Sequence, residues 1–495
     1  MTKSLLRIGS IACLLLMSFE GVKASDGLED SIGVKEFPKV GPIIRYITST
    51  SITLMGQGDV LKKHLFHHST PHDNIGVAAL RQFNGDELGE ESVVTFPMKH
   101  KDRHVGHLTL DSLKPGQKYV VRIGYLSSPD MGKSKLNFEN CHVVRFCTPK
   151  SDQLEEEFSI LTGSCRRIGR KTSDWAKEGD HIFKGMETNI LNAEKLGGRT
   201  DSIAFTGDQI YADAMGMLFP AKTFYEYGRV HEKAFSQEHF RSLAANFSGP
   251  IHMTRDDHEL WNDANAEEEE KYPEQSAAAH KAYSLFQRPF GKKTPHFWYT
   301  TSNGAEMFFT DTRSERRPSK KQLISEEQLT ALTTWLSADS RKNALKIIVT
   351  SVPIFLLSTE DAWSGYPEQY RKLLDHIISN NIKHVMFISG DAHCQNDGMF
   401  HAYKADGQDT GHAFLEVLVS GLFAVARNKA GLLGDTIDLR TEDKGYLLKT
   451  KTPLSPTLTE NLFARISGNN TTKEVTVEVF NQKNERLRKT LYNLS

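Results

Sequence analysis

The stretch Ser202-Ile-Ala-Phe-Thr206-Gly207-Asp208-Gln-Ile-Tyr211-Ala-Asp213 reads as a short buried strand that runs directly into a Gly-Asp loop. Five more segments read as short buried strands: Phe158 to Thr162, Ile251 to Thr254, Met307 to Thr310, Lys346 to Ser351 and His384 to Ser389. Helical patterns separate the last three, over Ser325 to Leu336 and Pro367 to Ser379. Strands alternating with helices imply α/β layering around a sheet. In such folds reactive side chains collect on the loops that leave the carboxyl ends of the strands.

Outward from that domain the pattern changes. From Gly41 to Pro149 the chain reads as strands and turns, with strands expected over Thr50 to Met55, Val93 to Phe96 and Val143 to Thr148. The segment from His107 to Ile123, with Pro115-Gly116 between two alternating runs, looks like the penultimate hairpin of a fibronectin type III or similar β-sandwich. Residues 40–150 are therefore expected to form an N-terminal all-β sandwich without chemistry of its own. Ser151 to Glu157 is a polar linker, and residues 158–495 form the α/β domain.

The first 24 residues fit a signal peptide: Lys3 and Arg7, an apolar run from Ile8 to Phe19, then Val22-Lys23-Ala24. That run is short for a transmembrane helix, so the chain is expected to be exported and, after cleavage, to have no stable membrane span, with an uncleaved membrane anchor as the main rival. A lipoprotein through Cys13 is disfavoured because Leu14 to Met17 follow the cysteine. A net charge of −1 gives no electrostatic case for a nucleic-acid patch, and a monomer is expected. The acidic run Glu267 to Glu270 reads as a solvated face.

Five loops carry ligand-capable residues. They are Gly163-Ser164-Cys165-Arg166-Arg167, Gly207 to Asp213, Arg255-Asp256-Asp257-His258-Glu259, Asp311-Thr312-Arg313 with Arg316, and Gly390-Asp391-Ala-His393-Cys394. A single Gly-Asp after a strand is more often a turn. Acidic and imidazole groups at successive strand ends predict a metal site.

These loops, in this order, resemble those of the alkaline phosphatase D (PhoD-like) branch of the calcineurin-like metallophosphoesterases, over Phe158 to Gly421. The segment Thr359-Glu-Asp361-Ala-Trp363-Ser-Gly-Tyr366-Pro resembles that branch's Asp-x-Trp-x-Gly-Tyr element. Gly-Asp-x-x-Tyr is also shared with purple acid phosphatases, where the tyrosine binds ferric iron. The resemblance implies a metallophosphoesterase domain with a β-sandwich core flanked by helices, acting on small-molecule or polymeric phosphate esters. It implies Asp208 as the carboxylate bridging two metals, Tyr211 and Cys165 as phenolate and thiolate ligands, and Asp257, Asp391 and His393 as further ligands. His258 matches the histidine that contacts substrate or leaving group, and Asn262 is a weaker ligand candidate. Arg166, Arg313 and, less strongly, Arg316 would hold phosphoryl oxygens with forked hydrogen bonds.

A phenolate, a thiolate and a carboxylate together suit Fe3+, and an oxygen-rich second site suits a harder divalent ion, with Ca2+ typical of the branch. Some positions depart from the family pattern. Ser351 stands where relatives carry a histidine, which argues against zinc, and Arg255 stands where tryptophan is frequent, which could alter the pocket wall. Cys394 is either a buried thiol or a partner for Cys165, and a disulfide there would remove the thiolate. For Asp213 only a capping or supporting role is expected. Mono- and diester hydrolysis both remain open, including phospholipase-type activity. A non-catalytic secreted binding protein is the remaining alternative.

Overall fold

The computed structural model describes residues 31–59, 72–127, 135–150, 155–167, 174–213, 220–289, 296–339, 342–355, 360–424, 434–441 and 444–495. The signal-peptide expectation, Thr359 and part of the linker lie outside these residues.

The N-terminal region packs two antiparallel sheets face to face. One contains Ile43–Ile47, Ile52–Gln57 and Val105–Leu110. The other contains His142–Cys147, Lys118–Ser127, Asn74–Asn84, Glu87–Leu88 and Ser92–Met98. Leu54, Phe96, Leu108, Val121, Ile123 and Phe146 from both sheets form their shared core. The expected strands are present, but the expected hairpin is not. Val105–Leu110 pairs with Ile52–Gln57, whereas Lys118–Ser127 pairs in the opposite sheet. Pro115-Gly116 therefore lies in an arch between sheets. Leu113 is buried beneath the arch, and the Lys114 N–H donates to the Tyr119 hydroxyl at 2.8 Å. Alternation identifies a strand facing a core but carries no information about its partner.

Beyond Glu157 two larger sheets oppose each other. Among the described residues one has six strands, in which Glu157–Gly163, Ser202–Thr206 and Ile251–Thr254 run parallel. The other has eight, with Ala305–Phe309, Lys346–Val349, Val385–Ser389 and Asp409–Val419 parallel. Ile160, Ala204, Phe309, Val349, Ile388 and Val477 fill the space between them. The helices Asp174–Lys195, Phe224–Phe235, Glu238–Asn246 and Pro273–Phe286 cover the outer face of the first sheet. Glu326–Leu336 and Pro367–Ser379 cover the second. Both sheets are buried on both faces, which is why their strands read as unbroken apolar runs.

The six strand positions and two helices read from sequence all appear. Ser325 caps its helix by accepting from the Gln328 N–H, and Pro367 occupies the first turn of the other. Not anticipated were the C-terminal strands Leu462–Asn469, Glu474–Asn481 and Arg486–Asn493, which complete the six-stranded sheet. No helix among the described residues is long and apolar enough to cross a membrane.

Candidate metal centre

Each parallel strand delivers a loop to the same edge of the opposed sheets, and the backbone there is unusual. Cys165, Asp208, Asp391 and His393 all have left-handed φ, at 60°, 54°, 65° and 52°. Non-glycine residues adopt this region at a cost, and it clusters where structure is held for function. Gly207 (φ 99°) allows the close approach of the third loop, because a Cβ there would lie 2.6 Å from Asp256 Cβ.

Buried Glu259 holds two of these loops in register. Its carboxylate accepts from the backbone N–H groups of Asp208 (3.1 Å), Gln209 (2.7 Å) and Asp256 (2.8 Å). Asp208 in turn accepts from the His258 N–H at 3.2 Å. The Asp208 carboxylate is thereby fixed at the middle of the site.

Three sets of side chains bring their donor atoms within 4.8 Å of one another. They are Cys165, Asp208 and His393; Asp208, Asp257 and His258; and Asp208, Asp256, Asp257 and Asp391. Asp208 belongs to all three. The Tyr211 hydroxyl lies 3.1 Å from His393 Nε2, which places it beside the first set. The final loop thus divides, His393 joining the sulfur-bearing set and Asp391 the carboxylate set.

The donors fit cations. Burial, then the Asp208 and Asp391 carboxylates, push the Cys165 thiol well above its usual range. Burial, then Asp208, raise the Tyr211 phenol in the same way. For Asp208, burial together with Asp257, Asp256 and Glu259 outweighs His258 and holds the carboxyl high. Asp256 Oδ2 and Asp257 Oδ1 are buried with no hydrogen-bond partner. Closely packed anionic groups that raise one another, with carboxylate oxygens left over, are what bound positive charge stabilises. The Ser420 hydroxyl donates to Cys165 Sγ at 3.1 Å and accepts from the His393 N–H at 2.8 Å.

His258 stacks on Tyr211 with centroids 4.1 Å apart, and its Nδ1 lies 2.8 Å from Asp213 Oδ1. Asp213 therefore has a definite role: it orients the imidazole, while its other oxygen accepts from the Asn262 N–H at 2.6 Å. Burial opposes protonation of His258, but Asp208, Asp213 and Asp257 outweigh it and raise the ring to about 10.

The arginines separate. Arg313 is buried against the carboxylate set, pairing with Asp256, with Asp257 at 3.6 Å and with Asp361 at 3.3 Å. Burial would raise Asp257, but Arg313 and His258 bring it down to about 2. Arg316 donates to the carbonyls of Thr312 and Glu360 and to Asp361, and its Nη2 has no hydrogen-bond partner. The structure does not bring the Arg166 guanidinium to this group. It lies 4.3 Å from the Phe183 ring centroid and 5.0 Å from that of Phe240, bonded to Asp180 at 3.3 Å. Its chain neighbour Cys165 faces the site, and the adjacent side chain faces the opposite way into the core.

Asn262 is exposed, and its amide bonds to Asp263. Arg255 forms no pocket wall: it is buried and paired with Glu269 at 3.1 Å and Ser314 at 2.8 Å. Ser351 donates to Asp256 at 3.0 Å. Neither Cys165 nor Cys394 is in a disulfide, so the thiolate is not lost that way. Asp256, Glu259, Asp361 and Ser420 carried no assigned role from sequence. Asp256 and Glu259 were visible only as members of an acidic loop, and Ser420 had no signal.

A family model described as PhoD-like phosphatase matches residues 173–443, more than half of the chain. Alkaline phosphatase D of Bacillus subtilis (strain 168) is 23% identical over 405 residues, covering 71% of this chain. The chain spans 65% of that relative's length. Among solved structures, one titled "Structure of PhoD" superposes with TM-score 0.64 at 16% identity, covering 92% of this chain and 89% of that one. A purple acid phosphatase from yellow lupin (Lupinus luteus) gives 0.54 at 11% identity, covering 91% and 73%. At these identities the structures establish a shared fold.

Proposed function

Because the chain belongs to the PhoD-like phosphatase family, we propose that it hydrolyses phosphate esters at a dinuclear metal centre bridged by Asp208. The observation that carries this reading is the membership of Asp208 in all three donor sets. Cys165, Asp208, Tyr211 and His393 would hold Fe3+, a hard ion whose charge thiolate, phenolate and carboxylate offset. Asp208, Asp257 and Asp391, with Asp256, would hold Ca2+, which prefers oxygen ligands. Such ions, when bound, stabilise developing negative charge on phosphoryl oxygens and lower the pKa of coordinated water.

The protein's own groups supply the rest. His258, with Nδ1 held by Asp213, has Nε2 left to give a proton to the leaving alkoxide. Arg316 has a buried nitrogen without a protein partner and is the better placed of the arginines to donate to a non-bridging oxygen. Arg313 offsets the charge of Asp256 and Asp257 and keeps both carboxylates in place. The substrates are small or polymeric phosphate mono- or diesters, and the protein acts after export as a monomer.

Turnover of an aryl phosphate monoester and of a bis-aryl diester by the wild type and by Asp208→Ala tests the reading. Hydrolysis of at least one substrate by the wild type and of neither by the variant is expected. Undiminished hydrolysis by Asp208→Ala would remove the centre from the mechanism, and the ratio of the two substrates assigns the ester class.

A further inference from the structure

A second group of polar side chains lies where the N-terminal sandwich meets the α/β domain. The strand Ile43–Ile47 packs there on Ile251–Thr254, with the rings of Tyr46 and His252 edge to face at 6.5 Å. Pairing of Ile43–Ile47 with Ile52–Gln57 shifts register between Ile44 and Tyr46, which makes Arg45 the bulged residue. Bulges re-aim side chains. Arg45 is 1% exposed, and its Nε, Nη1 and Nη2 have no hydrogen-bond partner. Neither ring nitrogen of His252 nor the hydroxyl of Tyr283 has one, and both residues are 1% exposed.

These groups act on one another. Burial pulls Arg45 down to about 10, with Tyr283 opposing, so the guanidinium is charged at neutral pH. Burial, then the charge of Arg45, push His107 down to about 4 and His252 to about 3, so both rings are neutral. Among the described residues, no carboxylate is one of the groups whose charge acts on Arg45. A buried guanidinium with all its donors unmatched is strongly unfavourable, and buried charges in folded proteins are paired.

We propose that Arg45, His252 and Tyr283 form a binding site for a compact monovalent anion of the chloride class. The single charge of Arg45 is balanced by one negative charge, whereas a phosphate dianion would leave a buried excess beside Tyr283, which already feels Asp311 and Glu259 as well as Arg288 and Arg255. The guanidinium, the Tyr283 hydroxyl and a His252 N–H are all donors, the set a halide accepts. Burial of every member excludes a ligand of more than a few atoms. The site ties the bulged strand of the sandwich to Ile251–Thr254, whose next residues form the loop Arg255 to Glu259. It is independent of the phosphoesterase reading, since its ligand, residues and readouts differ.

The test is thermal unfolding of the full chain in chloride and in gluconate at equal ionic strength. A ligand that binds only the folded state raises its melting temperature by mass action. For the wild type, a saturable chloride-dependent rise of about 2 °C is expected. Arg45→Met should lose it, and Tyr283→Phe should need about tenfold more chloride for the same rise. Crystals grown in bromide should show an anomalous peak within hydrogen-bonding distance of the Arg45 guanidinium, a readout that survives if Arg45→Met does not fold. An unchanged chloride response in Arg45→Met, no response in the wild type, or water without bromide at Arg45 would each overturn the proposal.

Discussion

The two sheets of the α/β domain bring different chemistry to their shared edge. Loops of the six-stranded sheet supply Cys165, Asp208, Tyr211, Asp256, Asp257 and His258, and Glu259 locks two of those loops through three backbone N–H groups. Loops of the eight-stranded sheet supply Arg313, Arg316, Ser351, Asp391 and His393, with Asp361 pairing both arginines. One side concentrates anionic donors on a fixed frame. The other contributes the compensating cations and completes the ligand sets. A centre assembled this way depends on its frame from the first side and on its charge balance from the second.

The largest effect should come from the frame's central residue. Asp208→Asn keeps the shape of the side chain but removes its charge from all three donor sets, so aryl phosphate turnover should fall by more than about 1,000-fold. A loss below tenfold would show that Asp208 does not link the sets. Next, Glu259→Ala leaves three backbone N–H groups unmatched in a buried place. We expect about 3 kcal/mol of lost stability in urea unfolding, accompanied by reduced turnover. Activity lost without destabilisation would mean that Glu259 acts on substrate instead of on the frame.

The charge side is broken by comparing two arginines. Arg313→Met should lower kcat/KM about 100-fold, because Asp256 and Asp257 lose their counter-charge. Arg166→Met should leave kcat/KM within about threefold while lowering the unfolding midpoint, because its partners are Asp180, Phe183 and Phe240. Equal kinetic losses would contradict the division. A smaller loss than that of Arg313→Met is expected for Asp213→Asn, about tenfold in kcat. Asp213 raises the pKa of His258, and a proton donor fails as pH rises through its pKa. Removing that charge should therefore move the alkaline loss of activity to lower pH. An unshifted profile with reduced kcat would assign Asp213 to packing alone.

Much of this was legible in the sequence, and the failures have physical causes. The parallel strands and two of the helices followed from apolar runs and caps such as Ser325, because those signals are local. Asp208 and the loops at strand ends followed from where parallel strands end. The Pro115-Gly116 arch was misread as a hairpin because alternation names a face and leaves the partner strand unspecified. Arg166 was misplaced because adjacent residues on a loop can face opposite sides, and only packing decides which of them meets Phe183. Asp256, Asp361 and Ser420 were missed because their roles arise from contacts with residues distant in the chain, which no local pattern encodes.

The most direct test of the central claim is metal analysis of the purified wild type alongside Asp208→Ala, with the visible absorption spectrum recorded for each. The wild type is predicted to carry iron and calcium with a tyrosinate-to-iron charge-transfer band, and Asp208→Ala to lose both metals and the band. Wild-type protein that binds neither metal after reconstitution, or a variant that retains both, would contradict it.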